Sequence, residues 1–303
     1  MLRGECIVRF AVHLVAAICA ILAGSQQAEA DRRVALVIGN SAYKHTEVLP
    51  NPRNDAEAIA KLLDASKFDE VLIETDLDYH DMREAIHRFE PSARSADVAL
   101  IYYAGHGFEV AGENYLMPVD AGLAQDSDLA NEAITLASML SAANGARRLK
   151  LVILDACRNN PLIERMALRA GRSRSVPRGL ARIESRGDGL ASVETKGEVL
   201  VAYSAKAGTV AYDGHGRHSP YAEALLKHMA TPGLDVIRMF GRVKDAVLTA
   251  TKDAQEPWIY GSPGGDSIAL VPAAAKPVAP KPAAPSNAAG KNCFTFQGRD
   301  FCE

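Results

Sequence analysis

Cysteine is scarce in this chain: five among 303 residues, at positions 6, 19, 157, 293 and 302. No two of them form a C-x-x-C pair, and none lies near Cys157 to resolve a disulfide, which argues against a thiol redox protein. Charge of one sign is also lacking. The net charge is −3, with no face-long basic excess, so nucleic acid is not an expected partner. Gly39-Asn40-Ser41 lacks the spacing of a dinucleotide fingerprint. No loop has the dense carboxylates of a calcium site, and two loop histidines near Asp213, His215 and His218, are too few for a convincing metal centre. The expectation is therefore no cofactor and no bound metal. No internal repeat is visible. What remains is 48% apolar and 23% charged, an ordinary globular mix with length for one large domain or two small ones.

The apolar run from position 10 to 24 is broken only by His13 and is short for a membrane span. Arg3 and Arg9 precede it, and Ala28-Glu29-Ala30 supplies a small-residue cleavage pattern before Asp31. Residues 1–30 are expected to be a secretory signal peptide, giving an exported protein, periplasmic or secreted, with no stable membrane anchor after cleavage. Cys6 and Cys19 leave with that leader. Cys293 and Cys302 stand close enough in sequence to close a short disulfide loop in an oxidising compartment. Cys157 is then the unpaired thiol, a candidate reactive group.

Short continuous apolar runs at 34–38, 71–73, 98–103, 149–154 and 198–203 predict strands buried on both faces. A sixth strand is expected at 267–271. Helical spacing predicts helices from 54, at 81–89 with Pro91 as a breaker, and at 134–143, 220–229 and 234–250. A small hairpin is expected at 108–110 and 115–117. Strands alternating with helices indicate an α/β fold with a parallel sheet covered on both faces. The 165–197 stretch differs in kind. It carries Arg165, Arg169, Arg172, Arg174, Arg178, Arg182 and Arg186 among glycines and serines, and reads as a long exposed loop. Residues 272–291 are a Pro/Ala/Lys linker, and 292–303 a disulfide-closed tail for stability or partner binding. The folded domain is expected to be 31–271.

Two strands end in chemistry. The third runs into Gly105-His106-Gly107 and the fourth into Asp155-Ala156-Cys157-Arg158-Asn159. Ligands in such sheets bind outside the carboxyl ends of strands. A neighbouring imidazole activates a thiol by taking its proton, then protonates the leaving amine. The backbone N–H groups of Gly107 and Cys157 are candidates for an oxyanion hole. This pattern predicts acyl transfer by a Cys157/His106 dyad.

These two motifs, with His106 preceding Cys157 by 51 residues, resemble the caspase-like cysteine peptidases, in particular their bacterial caspase-like and metacaspase branch. The resemblance covers roughly residues 32–271. It implies a three-layer α/β/α sandwich with a mostly parallel, about six-stranded sheet, and an endopeptidase acting on proteins or peptides. Caspases, which cleave after Asp, have Gln two residues before the nucleophile. This chain has Asp155 there, as metacaspases do, which cleave after Arg or Lys. Where caspases grip an acidic side chain with Arg, the corresponding Val210-Ala211-Tyr212-Asp213 ends in an acid. Asp155 and Asp213 are therefore expected to bind a basic side chain before the scissile bond. The arginine-rich loop follows the nucleophile where this family is often processed, so self-cleavage between 165 and 186 is expected. Some metacaspases need calcium, so calcium dependence stays open. The competing expectation is a catalytically silent scaffold or regulatory binding protein, since such domains also occur as inactive regulators. Those relatives often lose the His or the Cys, and this chain keeps both.

Overall fold

The computed structural model describes residues 31–110, 112–124, 128–156, 198–206, 211–262, 264–273, 293–296 and 299–302. The expected leader at 1–30, Cys157, the arginine-rich 165–197 stretch and residues 274–291 of the expected linker lie outside the described residues. In chain order the elements are β1 (Arg33–Gly39), α1 (Pro52–Ala65), β2 (Glu70–Thr75), α2 (Tyr79–Arg94), β3 (Val98–Gly105), β4 (Gly107–Val110), β5 (Glu113–Leu116), α3 (Leu129–Glu132), β6 (Ile134–Thr135) and α4 (Leu136–Ala143). They continue with β7 (Leu149–Ala156), β8 (Glu198–Tyr203), α5 (Pro220–His228), α6 (Val236–Thr251), β9 (Trp258–Ser262), β10 (Cys293–Phe296) and β11 (Arg299–Cys302).

The main sheet has six strands in the order β2-β1-β3-β7-β8-β9. The first five are parallel and β9 runs antiparallel at the edge. Its central strands are mostly apolar because both faces are covered. Ala35, Val37, Leu100, Tyr102, Leu151 and Ile153 pack with α1, α5 and α6. Their neighbours Leu36, Ile38, Ile101, Tyr103, Val152 and Leu154 pack with α2 and α4. Burying one such aliphatic side chain contributes about 1.5–3 kcal/mol. Two such layers on one sheet make the expected three-layer sandwich.

Local chemistry sets the element ends. Asp78 caps α2 by accepting from Asp81 N at 2.9 Å, and Asp235 caps α6 through Ile237 N and Arg238 N. Three sequence expectations need correction. Pro91 does not end α2, which continues to Arg94. A proline inside a helix costs about 3 kcal/mol, but the turns around it bury Phe89 and Ala93 completely against the sheet. Ile134 is not helical: Ile134–Thr135 pairs with β5, and the Thr135 hydroxyl caps α4 from Ser138 N. The sixth strand is Trp258–Ser262 rather than 267–271, where Ala269 makes only an isolated bridge to Asp235. The chain after α6 turns at Lys252 and Asp253, both left-handed, and returns beside β8 without a crossover. The expected hairpin is β4–β5, joined by β6 in a small three-stranded sheet. In the tail, β10 and β11 pair antiparallel with Cys293 opposite Cys302.

Candidate active site

The site grows from the carboxyl ends of β3 and β7. Their parallel register pairs Ala104 with Asp155 and Gly105 with Ala156. His106 follows directly after Gly105. Cys157 follows Ala156 in the chain and lies outside the described residues.

Gly105 has φ +151°, and a Cβ there would meet Tyr43 Oη at 2.4 Å and Tyr103 Oη at 2.8 Å. Only glycine fits this bend. The same two phenols hold the next residue. His106 N donates to Tyr43 Oη at 2.7 Å, and Tyr103 Oη donates to the His106 carbonyl at 2.7 Å. The His106 ring tilts against Tyr43 with centroids 4.5 Å apart. Its Nε2 lies 2.8 Å from the Glu47 carbonyl. A carbonyl only accepts, so this contact assigns the proton of the neutral ring to Nε2 and leaves Nδ1 as the basic nitrogen. Burial pulls the His106 pKa below its ordinary value, partly offset by the Glu47 carbonyl. The ring is thus neutral and poised to take a proton at Nδ1.

Met117 N donates to the His106 carbonyl at 3.0 Å, which makes Gly107–Leu116 a non-hydrogen-bonded pair of the β4–β5 ladder. The Gly107 N–H is therefore outside that ladder.

Asp155 is 8% exposed and faces the α1/α5 side of the sheet. Ser219 Oγ donates to Asp155 Oδ2 at 2.5 Å. The same Oγ accepts from Ala222 N at 2.9 Å as the cap of α5. Burial raises the Asp155 pKa to about 6, against the pull of its Ser219 and Ser204 hydrogen bonds. Asp213 lies in the loop before α5. Its carboxylate accepts from Asn51 N at 3.3 Å and its carbonyl from Asn51 Nδ2 at 2.5 Å. Burial raises the Asp213 pKa too.

Between them stands a third acid that sequence reasoning passed over. Asp55, in the first turn of α1, is 1% exposed. It accepts from Ser219 N at 3.3 Å, and His218 Nδ1 lies 2.7 Å from Asp55 Oδ1. Burial, with Asp155 next in effect, pushes the Asp55 carboxyl up to about 9. One signal was available: Asp55 precedes Ile59 by one helical turn, on the apolar stripe of α1. Two buried phenols, Tyr102 and Tyr221, feel the Asp155 charge. In this buried acid cluster each carboxyl is held above its ordinary value.

Among the described residues, His80, Asp81 and Glu84 at the start of α2 are spaced to approach one ion, but all three are exposed and His80 already pairs with Glu84. Nothing marks them as a metal centre.

A sandwich with a backbone-held histidine at the end of β3 and an acid near the end of β7 defines a caspase-type α/β domain. The sequence matches the peptidase C14 caspase domain over residues 32–266, more than half of the chain, and the chain belongs to that family of cysteine peptidases. It is 36% identical over 97 residues to the human mucosa-associated lymphoid tissue lymphoma translocation protein 1, covering 32% of this chain and 12% of that protein. The mouse homologue is 36% identical over 89 residues, covering 29% and 11%. The chain thus spans only about an eighth of the length of these relatives. The solved structure of protein GSU0716 from Geobacter sulfurreducens shares the fold, with TM-score 0.55 and 16% identity over 80% of this chain and 99% of that one.

Proposed function

We propose that this chain is an exported cysteine endopeptidase that cleaves after Arg or Lys. The observation that carries the reading is the cluster of Asp55, Asp155 and Asp213, three carboxyls raised by burial beside the strand ends that lead to His106 and Cys157. An acidic side chain entering beside that cluster meets repulsion, while a guanidinium or ammonium meets carboxylates of opposite charge.

In the proposed reaction, His106 Nδ1 takes the Cys157 thiol proton and the thiolate attacks the scissile carbonyl carbon. The N–H groups of Gly107 and Cys157 bind the oxyanion. The C–N bond breaks as the imidazolium gives its proton to the leaving amine. Water, deprotonated by His106, then attacks the thioester, and the thiol is regenerated with release of the carboxylate product. His106 is suited to these transfers because the Glu47 carbonyl fixes which nitrogen is basic. No step requires a metal, and calcium dependence is an outcome for the assay to decide. The Cys293–Cys302 disulfide belongs to the same proposal, supported by the two residues lying opposite each other in the hairpin.

The test is cleavage of matched fluorogenic peptides by purified protein, with and without calcium. Arg- and Lys-ended peptides are expected to be cleaved at least ~100-fold faster than the Asp-ended one, a difference of about 2.7 kcal/mol. Cys157→Ala is expected to remove turnover while leaving the fold. Faster cleavage after Asp would reject the specificity, and no cleavage of any peptide would favour the silent scaffold. Mass spectrometry of the same preparation is expected to find the chain beginning at Asp31 and cut between 165 and 186. An intact loop in active protein would remove self-processing.

A further inference from the structure

The acid cluster already contains one basic side chain. His218, in the loop before α5, has a side chain only 20% exposed, with Nδ1 2.7 Å from Asp55 Oδ1. The next residue, Ser219, touches Asp55 through its N–H and Asp155 through its Oγ. His218 is therefore joined to both buried acids through one contact and one neighbour. Asp55 comes from α1, Asp155 from β7 and Asp213 from the loop that holds His218 itself. Glu223 on α5 and Glu47 before α1 add negative charge around the cluster. The loop's other ionisable groups, His215 and Arg217, are exposed.

We propose that His218 is a specificity-determining positioning residue: a resident counter-ion that shares one proton with Asp55 and competes with the incoming basic side chain for the pocket's negative charge. This rests on the reading that the pocket receives Arg or Lys. With one proton the His218–Asp55 pair is neutral, and Asp155 and Asp213 are left to bind the substrate cation. A second proton makes the pair positive and opposes binding. Cation binding should therefore weaken as pH falls for two separable reasons, protonation of Asp155 and protonation of the pair. Replacing His218 by Asn keeps a hydrogen-bonding group beside Asp55 and removes only the second.

The experiment is the KM and kcat of an Arg-ended peptide between about pH 7.5 and about pH 5.5 for the wild type and His218→Asn. KM is expected to rise on acidification in both, and at least ~5-fold more in the wild type, since loss of one proton site removes up to about tenfold per pH unit of dependence. The difference is expected in KM rather than in the shape of the kcat profile. Parallel KM profiles would overturn the role of His218 while leaving the specificity intact. A wild type that does not prefer Arg over Asp peptides would instead overturn the pocket reading itself. If His218→Asn unfolds, NMR titration of the His218 ring in Cys157→Ala protein replaces it, with and without agmatine as a free guanidinium. Agmatine is expected to lower the apparent His218 pKa. An unchanged titration would overturn the proposal.

Discussion

Single side chains in this protein are tuned by what surrounds them. His106 is held neutral by burial and oriented by the Glu47 carbonyl, while Asp55 is pushed up to about 9. The second shift has a consequence for stability. In the folded state Asp55 keeps its proton until the pH passes about 9, whereas in the unfolded chain it loses it near the ordinary value of 3.8. Between those values the folded state binds more protons, so wild-type stability should fall as pH rises. Asp55→Asn removes the carboxyl, and its stability should change less over that window. Denaturant unfolding at about pH 6.5 and about pH 9 checks this. An equal loss in both proteins would show that Asp55 does not hold the proton. The gain in alkaline stability is expected to come with a higher KM for Arg peptides, because a buried acid retained at a cost commonly serves a site.

At the scale of elements, α5 matters because its cap also holds a buried acid. Ser219 Oγ accepts from Ala222 N and donates to Asp155, so one hydroxyl starts a helix and anchors a strand-end acid. Ser219→Ala should cost about 1 kcal/mol through the lost cap. It should also raise the Asp155 pKa further, because a hydrogen bond to the ionised form is gone. The acid limb of kcat/KM for Arg peptides should then move to higher pH. An unmoved limb with reduced stability would show that Ser219 is a cap alone. Elements differ in how openly the sequence announces them. The central strands β1, β3 and β7 are buried on both faces, and their continuous apolar runs identify them directly. The edge strand β9 has exposed Trp258 and Tyr260, so it has no such run, and it hid beside Pro257. Pro91 misled for another reason: tertiary burial of Phe89 and Ala93 outweighs a local helix penalty.

At the scale of the molecule, the fold brings together residues that come from distant parts of the chain. Asp55 and Asp155 are 100 residues apart in sequence, and Ser219 contacts both. The His106 motif was legible because glycines flank a polar residue after a strand. Asp155 was legible because of its place before Cys157. Asp55 was not, because an acid in the first turn of a helix is ordinary dipole chemistry until the sheet buries it. Glu47 was equally hidden, since it acts through a backbone carbonyl that any residue supplies. The sequence motifs thus name the proposed reacting groups, whereas the groups that orient His106 and surround Asp155 emerge only from packing.

The central claim joins an activated Cys157 to a pocket for a basic side chain. Its most direct test is labelling of the purified protein with matched peptide chloromethyl ketones ending in Arg or Asp, followed by mass spectrometry of the modified site. The account predicts that the Arg reagent alkylates Cys157 alone, and much faster than the Asp reagent. Modification elsewhere, no modification of Cys157, or faster reaction with the Asp reagent would contradict it.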